Sequence, residues 1–128
     1  MQEITTVVLD AMGGDHAPGE MVKGAIDAVN MRDDIKVILV GQEDVIKEEI
    51  GKYQYPEDKI GIVHAEEVIE TAEPPVNAIR KKKNSSIVVG MNMVKNKEAD
   101  AFVSAGSSGA ILVGGQVIVC RIKGIERP

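Results

Sequence analysis

Aromatic side chains are nearly missing from this 128-residue chain, which has no tryptophan and only Tyr53, Tyr55 and Phe102. A row of stacking platforms for single-stranded nucleic acid is thereby excluded. The core must be built from Val, Ile, Leu, Ala and Met, a composition that suits parallel strands buried under helices. Cysteine is just as scarce. Cys120 stands alone, so no intramolecular disulfide or cysteine-based zinc site can form, and a reducing cytoplasm is the expected setting. Within an apolar run, and with no histidine near it in sequence, Cys120 reads as a small buried residue rather than a nucleophile. Positive charge is in deficit: 15 Lys and Arg against 20 Asp and Glu leave a net charge of −5. That removes the broad positive field that a nucleic acid partner requires, and an acidic ligand would need a local basic site. Long apolar runs are also lacking. Residues 110–122 are too few and too interrupted by glycine to span a bilayer, and residues 1–10 read as a strand rather than a signal segment, so a soluble chain is expected.

The chain does have 44% hydrophobic residues, enough for one domain-sized core. Short β-branched or apolar runs predict strands at 4–9, 36–40, 60–63 and 101–103. Helical spacing of Met21, Val22, Ala25, Ile26 and Val29, with Pro18 in the first turn, predicts a helix to about residue 30. Further helices are expected over 43–50, over 76–82 after Pro74-Pro75, and from a Ser85 or Ser86 cap to Lys95. A largely buried helix should then run to about residue 121. Strands alternating with helices predict an α/β fold with a mostly parallel sheet and helices on both faces, with ligands beyond the carboxyl ends of the strands. No closing element follows the last helix, so the sheet reads as incomplete. No tandem repeat or long linker divides it.

Two glycine loops fall where ligands are expected. The first, Asp10-Ala11-Met12-Gly13-Gly14-Asp15-His16-Ala17-Pro18, offers unobstructed backbone N–H groups ahead of a helix, a setting for an anion. The plainer alternative is a tight turn at Gly13-Gly14 with Asp15 capping the helix and His16 exposed. His16 is suited to donate to phosphate or relay a proton. Asp10 can orient it, although a turn-forming bond to nearby amides is the simpler role. The second loop, Ser104-Ala105-Gly106-Ser107-Ser108-Gly109, places three hydroxyls and two glycines before a helix, a composition for phosphate oxygens or a developing oxyanion. It lacks the Walker lysine and does not match the dinucleotide fingerprint, so neither a nucleotide nor another cofactor is indicated. Arg80-Lys81-Lys82-Lys83 can neutralise an acidic ligand, Arg80 and Lys82 being the candidates; the alternative is a solvated helix end. Glu66, Glu67 and Glu70, near His64, read as a solvated face rather than a metal site. Met91 and Met93 read as core.

In this order, Asp10 to Pro18, Glu73-Pro74-Pro75 with Ala78 to Lys83 and Ser85-Ser86, and Ala99-Asp100-Ala101-Phe102-Val103-Ser104-Ala105-Gly106 closely resemble the PlsX family of phosphate acyltransferases. The resemblance runs through the whole chain, and residues 121–128 look like the family's continuation towards its next strand. Family members are much longer, so residues 1–128 resemble the amino-terminal part of a single α/β/α acyltransferase domain. Where the family usually has Asn-Thr, this chain has Ser107-Ser108, which keeps a hydroxyl at Ser108 and loses an amide at Ser107. The resemblance implies a three-layer α/β/α fold related to isocitrate and isopropylmalate dehydrogenases and to phosphate acetyltransferases. It implies transfer of a fatty acyl group from acyl carrier protein thioester to inorganic phosphate, giving acyl phosphate for phospholipid synthesis. A homodimer and peripheral work at the membrane surface go with it. The residues expected to line the site are Asp10, Gly13, Gly14, Asp15 and His16 with Ser104, Gly106, Ser107, Ser108 and Gly109, while Arg80 and Lys82 supply charge. His16 is the catalytic candidate. A non-catalytic binding or assembly piece, and a phosphate acetyltransferase-like enzyme using coenzyme A thioesters, are the competing readings.

Overall fold

A computed structural model of the chain describes residues 3–126. Strand β1 (Thr5–Asp10) leads to helix α1 (Gly19–Met31), β2 (Ile35–Gly41) and α2 (Glu43–Ile50), and a 3-10 turn at Glu57–Lys59 precedes β3 (Ile60–His64). Helices α3 (Pro75–Lys81) and α4 (Ser86–Lys95) follow, then β4 (Ala101–Val103) and α5 (Ser108–Gly114). The sheet runs β3-β2-β1-β4 and every pairing is parallel.

The period-2 alternation of the strands sorts the core into two faces. Leu9, Val37, Leu39, Ile60 and Ile62 pack with Ala25, Ile26 and Val29 of α1 and Ile46 and Ile50 of α2. Val8, Ile38, Val40 and Val63 pack with Val89, Met93 and Val94 of α4. Helices α3 and α5 gather around α4 in a further cluster that includes Ala78, Ile79, Ile87, Val88, Met91 and Ala110. The expected α/β architecture with helices on both sheet faces is therefore present, and Met91 and Met93 are core residues.

Local chemistry sets the helix ends. The buried Ser85 accepts a hydrogen bond from the Val88 N–H at 3.2 Å and caps α4. Helix α2 begins with Glu43 and Asp44, and Lys47 pairs with Glu43 at 2.9 Å one turn on. Asp15 does not cap α1: the cap position is Pro18, no side chain bonds the helix end, and Asp15 is exposed in the preceding turn. Helix α4 lies close on the sheet because residue 90 is glycine. A Cβ there would stand 2.5 Å from Phe102 Cε1 and 3.2 Å from Val8 Cγ1. Gly90→Ala is expected to overpack this contact and lower stability by about 2 kcal/mol, measured as an earlier urea midpoint at unchanged slope.

The last helix departs from expectation. It ends at Val119 after a π-helical turn, Gly115–Val119, and Cys120 has φ 74°. Only Ala110 and Gly114 of α5 are buried, while Leu112 and Val117 are 54% and 65% exposed. One side of α5 packs on α3 and α4, while on the other Ile111 and Leu112 line an open apolar hollow with Ile122 and Ile125. Cys120 lies past the helix end and is exposed, not buried. Strand β4 is likewise half covered: among the described residues it pairs only with β1. Val103 is 51% exposed beside an apolar groove of about 350 Å³ bounded by Val7, Leu9, Met21, Ala25 and Val37. Among the described residues no helix is long and apolar enough to cross a membrane.

Candidate functional site

From β1 the chain steps outward to β2 and β3 and then returns to the opposite side of β1 as β4. The loops that leave β1 and β4 therefore part from neighbouring strands, and this divergence opens a crevice at the carboxyl ends of the sheet. Both glycine loops begin there. Leu9 pairs with Val103, which brings Asp10 and Ser104 side by side. The fully buried Asp10 accepts the Ser104 hydroxyl at 2.7 Å through Oδ2 and the Met12 N–H at 3.0 Å through Oδ1. Ser104 Oγ in turn accepts the Gly106 N–H at 3.0 Å. One carboxylate thus closes its own turn and ties the two loops together, which combines the turn-forming role of Asp10 with a second, cross-loop one.

Gly13 is packed into this junction, and Gly14 has φ 108°, a left-handed conformation that favours glycine. The crevice holds about 280 Å³. Met12, Gly13, Gly14 and Asp15 form one wall and Ala105, Gly106 and Ser107 another. No hydrogen bond among the described residues occupies the N–H groups of Gly13, Gly14 or Asp15. These donors sit where sequence reading placed an anion.

Other expected residues stand back from the cavity lining. His16 is exposed in the turn before α1, and its carbonyl accepts the Glu20 N–H at 3.1 Å. Ser107 lines the crevice, but its hydroxyl caps α5 by accepting the Ala110 N–H at 3.2 Å. Serine is among the residues that cap a helix best, and Ser107 does so here. Ser108 is exposed, and Gly109 gives way to Pro75: a Cβ there would meet Pro75 Cγ at 2.7 Å. Arg80 is exposed in the last turn of α3 and Lys82 is half-buried beyond it; neither lines the cavity. The charged side chains that do line it are Asp15 and Glu70.

The third wall, formed by Val68, Ile69, Glu70 and Thr71, escaped sequence reading because it has neither periodicity nor a glycine signature. Lys82 Nζ donates to the Val68 carbonyl at 2.7 Å and to Glu73 Oε2 at 2.8 Å. Glu73 Oε2 also accepts the Glu70 N–H at 2.6 Å. The Lys82 hydrogen bond, then the Glu70 amide, hold the Glu73 carboxyl below the usual carboxylate range. A depressed carboxylate stabilises the fold above its unfolded pKa, and this contribution is lost as pH falls through the lower folded value. The nearby acids do not form a simple solvated face. Glu66 and Glu70 are exposed, but Glu67 is half-buried and bound to the 84–86 loop, exchanging backbone hydrogen bonds with Asn84 and Ser86 and accepting the Asn84 N–H on Oε1 at 3.1 Å. His64 faces α2, where Nδ1 accepts the Glu43 N–H at 3.2 Å.

A family model described as "Fatty acid synthesis protein" matches residues 5–128. A phosphate acyltransferase of Alkaliphilus oremlandii (strain OhILAs) is 52% identical over 122 residues, which are 95% of this chain and 36% of that protein. Phosphate acyltransferase of Clostridium beijerinckii is also 52% identical, over 95% of this chain and 37% of its own length. The chain therefore spans a little over a third of these relatives. Among solved structures, a phosphotransacetylase from Streptococcus pyogenes superposes with a TM-score of 0.66 over 97% of this chain and 40% of its own, at 19% identity. That likeness is one of fold.

Proposed function

Because the chain belongs to the fatty acid synthesis protein family, we propose that it is the amino-terminal part of a phosphate acyltransferase that moves a fatty acyl group from acyl carrier protein thioester to inorganic phosphate. The observation that carries this reading is the crevice itself, where Gly13, Gly14 and Asp15, whose N–H groups have no partner among the described residues, form the wall opposite a loop anchored by Asp10 and Ser104. Phosphate is anionic near neutral pH. Held there, one of its oxygens attacks the thioester carbonyl, the carbon–sulfur bond breaks, and the carrier leaves as thiolate and takes up a proton. The product is acyl phosphate. Placement and stabilisation of the developing oxyanion then matter more than a strong base, and no covalent enzyme intermediate is needed. With Arg80 and Lys82 away from the lining, the neutralising cation comes, on this reading, from the further length that the relatives carry. Homodimer formation, cytoplasmic residence and peripheral membrane work belong to the same proposal and rest on the family resemblance.

His16 retains one role in this scheme: from the turn beside Gly14 and Asp15 it donates to an incoming phosphate. His16→Ala in the full-length enzyme is expected to raise the KM for phosphate by about tenfold with an unchanged melting midpoint. An unchanged KM would remove His16 from the site. The function as a whole is tested by measuring acyl phosphate made by the full-length enzyme and by the 128-residue chain, with and without phosphate. The full-length enzyme should form it only with phosphate and carrier thioester. A preference for coenzyme A thioesters would favour the phosphotransacetylase-like reading that the fold suggests, and a folded full-length protein without activity would overturn both.

A further inference from the structure

We propose that Lys82 and Glu73 are positioning residues that hold the third wall of the crevice in place, and that Lys82 does not itself contact the anion; this rests on the acyltransferase reading above. Residues 68–71 belong to no helix or strand, so no ladder fixes their backbone. Four attachments hold the stretch instead. Glu67 is bonded to residues 84–86, the Ile69 side chain is buried in the cluster around α4, the Glu70 carbonyl accepts the Glu73 N–H at 3.1 Å, and the Lys82–Glu73 pair holds the Val68 carbonyl and the Glu70 N–H. The pair and that turn are the attachments at Glu70, which with Thr71 forms the exposed end of this wall.

The geometry also explains why the lysine is occupied. Its ammonium is committed to the Val68 carbonyl and Glu73, and Glu73 Oε2 is shared with the Glu70 amide. A compact ammonium on a flexible stem can reach such a convergent pair of acceptors. Removing either partner leaves the wall held at Glu67, at Ile69 and by the Glu70–Glu73 turn, and frees the Val68 carbonyl to drift by about an ångström relative to the Gly13–Gly14 wall. A drift of about 1 Å can cost up to about a hundredfold in a positioned reaction. Neither side chain belongs to the cluster that packs α3 on α4, so this packing is expected to persist in both variants.

Two variants separate positioning from direct contact. In the full-length enzyme, Lys82→Met and Glu73→Gln should each raise the KM for phosphate, by about tenfold for the first, with kcat changed by less than about threefold, and Lys82→Arg should recover part of the loss. The double variant should be little worse than Lys82→Met alone, because both substitutions remove one device. If Lys82 bound phosphate directly, Glu73→Gln would release it for that task and leave the KM unchanged or lowered, which would overturn the proposal. Hydrogen exchange at the amides of residues 69–71 supplies a readout that does not depend on turnover. Lys82→Met should speed it about tenfold or more; unchanged exchange would overturn the positioning role even if the enzyme acts on another substrate. Absence of acyl phosphate formation by the unsubstituted enzyme would count against the acyltransferase reading alone.

Discussion

Gly13→Ala in the full-length enzyme is expected to lower kcat/KM for phosphate by about a hundredfold and stability by about 2 kcal/mol. A Cβ at this position would stand 2.6 Å from Asp10 Oδ2, 2.8 Å from the Gly106 nitrogen and 2.9 Å from Ser104 Oγ. All three atoms belong to the hydrogen-bonded link between the loops after β1 and β4. The methyl group cannot be accommodated by turning a flexible side-chain end, because a backbone nitrogen and two short side chains in that link surround it. Either the first loop lifts away from Gly106 or the Asp10–Ser104 bond breaks. Each response moves the Gly13 and Gly14 amides relative to the second loop. Steady-state kinetics with varied phosphate, beside a denaturant melt, checks both effects. Normal kinetics with normal stability would show that the link does not shape the site.

Asp10→Ala is expected to cost about 3 kcal/mol, through the loss of two hydrogen bonds to a buried carboxylate whose donors are left without an acceptor. The residue is fully buried, and both carboxylate oxygens are in use. Without it, the Met12 N–H and Ser104 O–H lose their acceptor, and Ser104 is no longer fixed to receive the Gly106 N–H. Asp10→Asn should cost less, about 1 kcal/mol. Its amide oxygen can still accept the Met12 N–H, while its NH₂ group can donate to Ser104 Oγ and force that hydroxyl to find a new acceptor. The ordering of the two variants by urea midpoint is the test. Equal losses would mean that negative charge, rather than acceptor geometry, holds the junction.

The sequence was informative where chemistry is local. Glycines and hydroxyls placed the loops after β1 and β4, β-branched and apolar runs placed four strands, and the Ser85-Ser86 pair marked the start of α4, where Ser85 is the cap. It was least informative where a residue's role depends on what lies across space. Residues 68–71 have no pattern of their own; Lys82 holds the Val68 carbonyl from 14 positions away, and Glu73 holds the Glu70 N–H from three. The basic run read as ligand charge for the same reason: composition gives the sign of a side chain and not its direction, and Lys82 points to its own chain. Asp15 looked like a helix cap by type, but Pro18 takes the cap position in the fold. Buried helix and buried cysteine were both expected near residue 120 from apolarity alone, yet apolar surface is buried only where something packs on it, and α5 is covered on one side.

Strand β4 is three residues long, and among the described residues one of its edges is unpaired. A strand joining that edge would satisfy its free backbone groups, extend the sheet away from β1 and shelter Val103. The crevice lies past the carboxyl ends of β4 and β1, in the loops that leave them, and the β1–β4 register would persist through such an addition. Growth belongs to the strand's free edge and grip to its end. On the proposed reading, a neighbour that joins β4 can bring the cation that the anion cradle lacks without disturbing the Asp10–Ser104 link beneath it.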